Sequence, residues 1–248
     1  MPTLIDETSN DEIDPLTRLA IKHGTDKWGL HFYTPVYHAL FTHMRDKPVR
    51  LLEIGIGGYS LTKAGGASLA MWADYFPKGH ILGIDIVEKK LNLDPRIQVC
   101  QGSQDDPVFL ARMLEEHGPF DIVIDDGSHI PKHVIASFNI LFPKLADDGL
   151  YVIEDVQTSF WPQFGGSVLD GGATMHLAKT ILEHLNHAEI KIVQPNGRSP
   201  ISSNPFGRFA PITIFSLLKR AIIPSHRIMI TASIISMPRV HFARYKMN

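Results

Sequence analysis

The chain has 248 residues, 44% of them apolar and 20% charged, with one cysteine and 24 Lys and Arg against 26 Asp and Glu. That length can bury a full core, and the composition excludes a mainly disordered or fibrous protein, an internal disulfide and a thiolate metal cluster. With no apolar run near the roughly 18 to 20 residues that cross a bilayer, and an acidic opening, MPTLIDETSNDEID, unlike a secretory signal, a cytoplasmic protein without a membrane span is expected.

Leu19 to Met44 mixes turn signals with aromatic residues: the Gly-bracketed KHGTDKWG reads as a loop, and TPVYHALFTHM, opening with Pro35, as a helix. Short apolar runs then alternate with helical patterns. VRLLEIGI (49–56), HILGIDI (80–86), RIQVCQ (96–101), FDIVIDD (120–126) and LYVIED (150–155) have the character of buried strands, and EIKIVQ (189–194) would be a sixth. ASLAMWADYF, PVFLARMLEEHG, PKHVIASFNILFPKL and ATMHLAKTILEHLN, with apolar residues three and four apart, are the helices. Such alternation predicts an α/β fold, a doubly wound and mostly parallel sheet with helices on both faces.

Ligands of such sheets bind beyond the carboxyl ends of the strands, so those ends are where function is sought. The first strand ends in Glu53-Ile-Gly55-Ile-Gly57-Gly58, a turn that lets backbone approach a ligand closely. Ser60 stands where a dinucleotide fingerprint requires its third glycine, which counts against a nicotinamide cofactor. Glu53, inside an apolar strand, requires a partner: a cation or an amine-bearing ligand. Asp85 at the second strand end is placed for ribose hydroxyls, or for water. Gln101-Gly102-Ser103-Gln104 at the third offers amides for an adenine edge.

The next two strands end in Asp125-Asp126-Gly127-Ser128-His129 and Glu154-Asp155. Neighbouring strands would bring four carboxylates to one rim, where mutual repulsion calls for a cation, with magnesium the first choice for oxygen ligands. The alternative is that some of them cap helices or face water. His129, just before a helix start whose positive end disfavours imidazolium, suits a general base. His133, four residues on, is expected in solvent rather than on zinc.

Together LLEIGIGGYS, GIDI, QGSQDDP, DIVIDDGSH and YVIEDVQTSFWPQFGG, preceded by HGTDKWGLHFY, resemble the class I S-adenosylmethionine-dependent methyltransferases that O-methylate sugars on macrolide antibiotics, the mycinamicin type. The resemblance covers about residues 20–195. It implies that Asp126, Glu154 and Asp155 hold magnesium and that His129 is the catalytic base. It places Glu53, Gly55 and Gly57 on the methionine part of S-adenosylmethionine, Asp85 on its ribose, and Gln101, Gly102, Ser103 and Gln104 on its adenine side. Phe160, Trp161 and Phe164 would form a substrate wall, since sugars stack C–H faces on rings; a hydrophobic plug under the loop is the alternative reading. The acceptor would be a hydroxyl of a sugar or glycoside, with a catechol-like or other diol as the alternative; nucleic acid is not expected as a partner, and a homo-oligomer is compatible with the resemblance.

All acidic residues lie at or before Glu189, and the ending from Ile190 carries nine Lys and Arg and no acid. Three segments are expected: an acidic lead and cap at 1–46, the methyltransferase core at 47–195 and an atypical basic ending at 196–248. Where the family closes its sheet with an antiparallel strand, only RIMITASII (227–235) offers one. A basic extension, a rebuilt edge and an ending foreign to the family, such as a frame-shifted terminus, are the three readings of it, the last preferred. Two rivals to the methyltransferase are a nicotinamide-dependent oxidoreductase and a catalytically degenerate binding module with a basic tail.

Overall fold

A computed structural model describes residues 13–167, 173–185 and 227–230. Helices α1 (Pro15–His23) and α2 (Thr34–Phe41) precede strand β1 (Arg50–Ile54). There follow α3 (Ala67–Tyr75), β2 (His80–Asp85), β3 (Ile97–Gln101), α4 (Pro107–His117), β4 (Ile122–Asp125), α5 (Pro131–Leu141), β5 (Leu150–Ile153), α6 (Ala173–Leu185) and β6 (Arg227–Ile230). The six strands form one sheet in the order β3-β2-β1-β4-β5-β6, and every neighbouring pair is parallel.

The expected strands and helices from 49 to 185 are all present, trimmed at their ends where the chain turns. The expected strand EIKIVQ lies outside the described residues. The strand in the ending is present at 227–230, but it runs parallel to β5, with Leu150 opposite Arg227, rather than antiparallel as the family pattern led us to expect. Helix α1 is an element the sequence reading passed over. Its punctuation is nevertheless clear: the Asp14 carboxylate accepts from the Thr17 amide at 2.9 Å, Pro15 fills the first turn, and Gly24 closes the helix in a left-handed conformation.

Side-chain alternation along the strands divides the apolar residues between two faces. Leu52, Ile54, Val123, Tyr151 and Ile153 pack with Phe109, Leu110, Phe138 and Leu177 of α4, α5 and α6. Leu51, Ile122, Ile124, Leu150 and Val152 pack with Leu16, Tyr37, Phe41, Leu69 and Trp72 of α1, α2 and α3. Each large side chain so buried contributes about 1.5–3 kcal/mol. The leading helices therefore share a core with the sheet, which brings residues 24–37 over the carboxyl ends of β1, β4 and β5. Among the described residues no helix is long and apolar enough to cross a membrane.

Candidate functional site

β1 and β4 lie side by side, but their crossover helices α3 and α5 pack on opposite faces. This is the topological switch point, where ligands bind in such sheets. After Ile54 the chain turns at Gly55, whose φ of +79° favours glycine and where a Cβ would stand 2.2 Å from the Asp126 carbonyl oxygen. Asp85 supports the turn from β2: its carboxylate accepts from the Ile56 amide at 3.3 Å and from its own neighbour Val87 at 2.8 Å. Lys89 clamps the outer loop, donating to the carbonyls of Gly57, Tyr59 and Leu61 at 2.8, 2.7 and 3.2 Å.

Period-two alternation puts Glu53, Asp126 and Glu154 on one face of the sheet and Asp125 on the other. The expectation of four carboxylates on one rim is thereby corrected. Asp125 is buried beneath α5, where it accepts from Ser137 Oγ at 2.6 Å and Gln104 Nε2 at 3.0 Å, and burial holds its carboxyl above the ordinary range.

The cation that Glu53 requires comes from the chain itself. Lys27 of the GTDKWG segment is 1% exposed. Its Nζ donates to Asp126 Oδ2 at 2.9 Å and to Glu154 Oε1 and Oε2 at 2.9 and 3.1 Å. It also stands 3.1 Å from Glu53 Oε1 as an ion pair, while Ser68 Oγ donates to Oε2 at 2.8 Å. Burial alone would push the ammonium's pKa down, yet Asp126, Glu154 and Glu53 together hold it well above its usual value. Burial raises Glu53 and, with help from Asp126, raises Glu154 further. Tyr37 donates to Glu154 Oε1 at 2.5 Å.

On the outer side of this buried set lie Asp126, His129 and Asp155, which offer one ligand atom each within 4.8 Å of one another. His129 Nε2 is 4.0 Å from Asp126 Oδ1 and 3.9 Å from Asp155 Oδ2. Both His129 and Asp155 hold left-handed backbone, with φ of 56° and 52°. Such conformations cost free energy in non-glycine residues and concentrate at functional sites. The two carboxylate oxygens suit one small hard cation, and the imidazole stands beside them. Glu154, expected as a third ligand, has both oxygens engaged by Lys27 and one by Tyr37, and it lies next to the group of Asp126, His129 and Asp155.

The remaining predicted residues are distributed around this centre. Gln101, at the rim, donates to the Ile86 carbonyl at 3.2 Å. Gly102 packs against Phe109 so closely that a Cβ would meet its ring at 2.4 Å. Ser103 Oγ donates to Asp105 at 2.5 Å. Gln104 is 6% exposed and works internally, its Nε2 on Asp125 and its Oε1 accepting from the Ser128 amide at 2.7 Å, which holds the turn leading to His129. His133 is not in open solvent as expected: its Nδ1 is 2.9 Å from Ser128 Oγ, and its Nε2 is 3.3 Å from Asp105. Phe164 meets His129 edge-on at 6.0 Å between centroids, with Trp161 6.0 Å beyond it; Phe160 ends the preceding turn. A cavity of about 320 Å³ lies at the opposite end of the strands, between Arg50, His80, Arg96 and Glu116, and none of the predicted site residues lines it.

The chain is 48% identical to an 8-demethyl-8-(2-methoxy-alpha-L-rhamnosyl)-tetracenomycin-C 3'-O-methyltransferase of Streptomyces olivaceus over 73% of its own length and 47% of that protein. It is 46% identical to a mycinamicin VI 2''-O-methyltransferase of Micromonospora griseorubida over 75% and 47% of the two chains. The chain is a homologue of sugar O-methyltransferases from antibiotic pathways. The MycE methyltransferase of the mycinamycin pathway, solved in complex with Mg and SAH, superposes with a TM-score of 0.69 at 45% identity, over 75% of this chain and 48% of that one. The sheet described above is thus similar to the Rossmann-like sheet of that methyltransferase. The chain spans about half the length of the curated relatives it matches. No family model matches it. Lys27, Tyr33 and Tyr37 hold the acids of this fold, a role the sequence reading did not give them. The signal was there in Glu53, a buried acid whose nearest base in sequence, Arg50, falls on the other face of β1, but nothing local says which distant lysine answers it.

Proposed function

We propose that the chain is an S-adenosylmethionine-dependent, magnesium-assisted O-methyltransferase acting on a hydroxyl of a sugar or glycoside. One observation carries the reading: Asp126, Asp155 and His129 converge within 4.8 Å beside the glycine turn at Gly55, in a homologue of enzymes named for this reaction. In it Asp126 and Asp155 hold the ion, with Glu154 next to them, and His129 is the base. Glu53 with the backbone at Gly55 and Gly57 lies along the methionine end of the cofactor, Asp85 on its ribose hydroxyls, and the 101–104 turn on its adenine side.

Bound there, S-adenosylmethionine supplies the methyl group and magnesium a Lewis acid that makes an acceptor hydroxyl easier to deprotonate. The chain's own contribution is alignment and proton transfer. His129 Nε2, facing both aspartates, would take the proton of an acceptor hydroxyl as the methyl group passes to that oxygen. Phe164, beside the His129 ring, and Trp161 next to it supply an apolar wall for the C–H face of a sugar, and Phe160 continues it. Much of the acceleration in such a transfer comes from holding donor and acceptor in line. Small-molecule glycosides are the acceptor class, and the cytoplasm, where the cofactor is made, is the expected compartment.

The test is transfer of a labelled methyl group from S-adenosylmethionine to a panel of rhamnosyl, olivosyl and macrolide glycosides and catechols. Labelling of a glycoside that is abolished by EDTA and restored by magnesium supports the reading. Transfer to catechols alone, or transfer indifferent to chelator, defeats it.

A further inference from the structure

The leading segment between Gly24 and Tyr37 treats the two candidate ligand carboxylates alike. Asp126 Oδ2 accepts from Lys27 at 2.9 Å, while Oδ1 faces His129 at 4.0 Å. Asp155 Oδ1 accepts from the Tyr33 hydroxyl at 2.6 Å and from Gln157 at 3.2 Å, while Oδ2 faces His129 at 3.9 Å. In each aspartate one oxygen is tied inward by the leading segment and the other is turned outward to the imidazole. Lys27 and Tyr33 are buried, at 1% and 5% exposure, so these tethers are shielded from competition by water.

We propose that Lys27 and Tyr33 are positioning residues of the metal centre, each occupying the inner oxygen of one aspartate so that Asp126 Oδ1 and Asp155 Oδ2 are presented to a single divalent cation beside His129. A free aspartate rotates about its terminal torsion and offers either oxygen. Two such groups give several arrangements, and fixing one of them lowers the entropic cost of taking up the ion, which is how donors behind the ligands act at metal sites. Lys27 also sets the charge. Its ammonium already stands among Glu53, Asp126 and Glu154, so the inner acids call for no second divalent ion. Both tethers come from a segment more than 90 residues before the ligands, and the orientation of the metal ligands is thereby coupled to the seating of the leading segment on the sheet.

This inference rests on the metal reading proposed above, and it is tested by metal binding rather than turnover. Manganese(II) is titrated into the full chain and followed by electron paramagnetic resonance. Tyr33→Phe keeps the ring stacked on His31, 5.1 Å between centroids, and removes only the hydroxyl. The expected result is manganese affinity weakened about tenfold, an altered spectrum of the bound ion, unchanged melting, and affinity for S-adenosylhomocysteine in metal-free buffer within about twofold of the parent. Lys27→Arg, which keeps the charge but moves the donor, should weaken manganese in the same way and gives the answer should Tyr33→Phe fail to fold. Undiminished manganese affinity and an unchanged spectrum in the variants overturn the inference alone. A parent chain that takes up no manganese defeats the magnesium reading, and this inference with it.

Discussion

Lys27 decides the stability of the site, because it is the cation among three inward acids. Removing one partner of a buried ionic group leaves the others uncompensated and costs about 3–5 kcal/mol. Lys27→Met should therefore lower the free energy of unfolding, read by denaturant titration, by that amount at pH 8. The loss should shrink as pH falls. Glu53 and Glu154 already sit above the ordinary carboxylate range, chiefly through burial, and without the lysine they rise further. A raised carboxylate makes the folded state bind protons before the unfolded chain does, so stability is regained as pH drops through the folded values toward about 4.3, the unfolded one. Parallel stability curves for variant and parent between pH 8 and 5 would show that uncompensated charge is not the cause. At the reacting end, His129→Ala should abolish methyl transfer while S-adenosylhomocysteine still binds, as calorimetry would show; loss of both would mean that His129 shapes the cofactor pocket instead. The acids and His129 were legible because each follows an apolar run, where a charged residue ends a strand. Which way each side chain points was partly legible from strand parity, which separates Asp125 from Asp126.

Among the elements, the turn after β1 carries the most stringent requirement. Gly55 and Gly57 both have positive φ, but a Cβ on Gly55 would collide with the Asp126 carbonyl at 2.2 Å, whereas one on Gly57 has nothing nearer than the Gly65 Cα at 4.0 Å. Gly57→Ala should cost only the left-handed backbone penalty, about 1–2 kcal/mol. Gly55→Ala must also push β1 from β4, so it should lose cofactor affinity as well as stability; equal losses in both variants, read by thermal melting and cofactor titration, would argue against the close approach. Lys89→Met should free the loop at 57–61 by removing three exposed hydrogen bonds, giving faster amide exchange there with little change in melting. The two glycines were visible as a motif, but their different burdens were not, since the carbonyl that crowds Gly55 is that of Asp126, just past the end of β4 and far along the chain. Helix α1 was legible in Asp14, Pro15 and Gly24, which punctuate it at both ends.

For the molecule as a whole, the sheet edge is the exposed question. β5 is buried along Leu150–Ile153 and is paired on its outer side by β6 from the ending. Removing residues 227–248 leaves that ladder unpaired, and an open apolar edge invites pairing with another chain. Light scattering should detect self-association of the shortened protein, and a monomer as stable as the parent would show that β6 does not protect the edge. Chain order alone determined the alternating elements, the parallel sheet and the strand ends where a ligand must bind, because apolar periodicity and punctuation by glycine, proline and acids are local properties. The tertiary structure alone decided that Lys27 neutralises Glu53 and that Tyr33 and Tyr37 reach Asp155 and Glu154. The partners of buried charges are chosen by whichever side chains the packed helices bring within about 3 Å, and that distance has no counterpart along the chain.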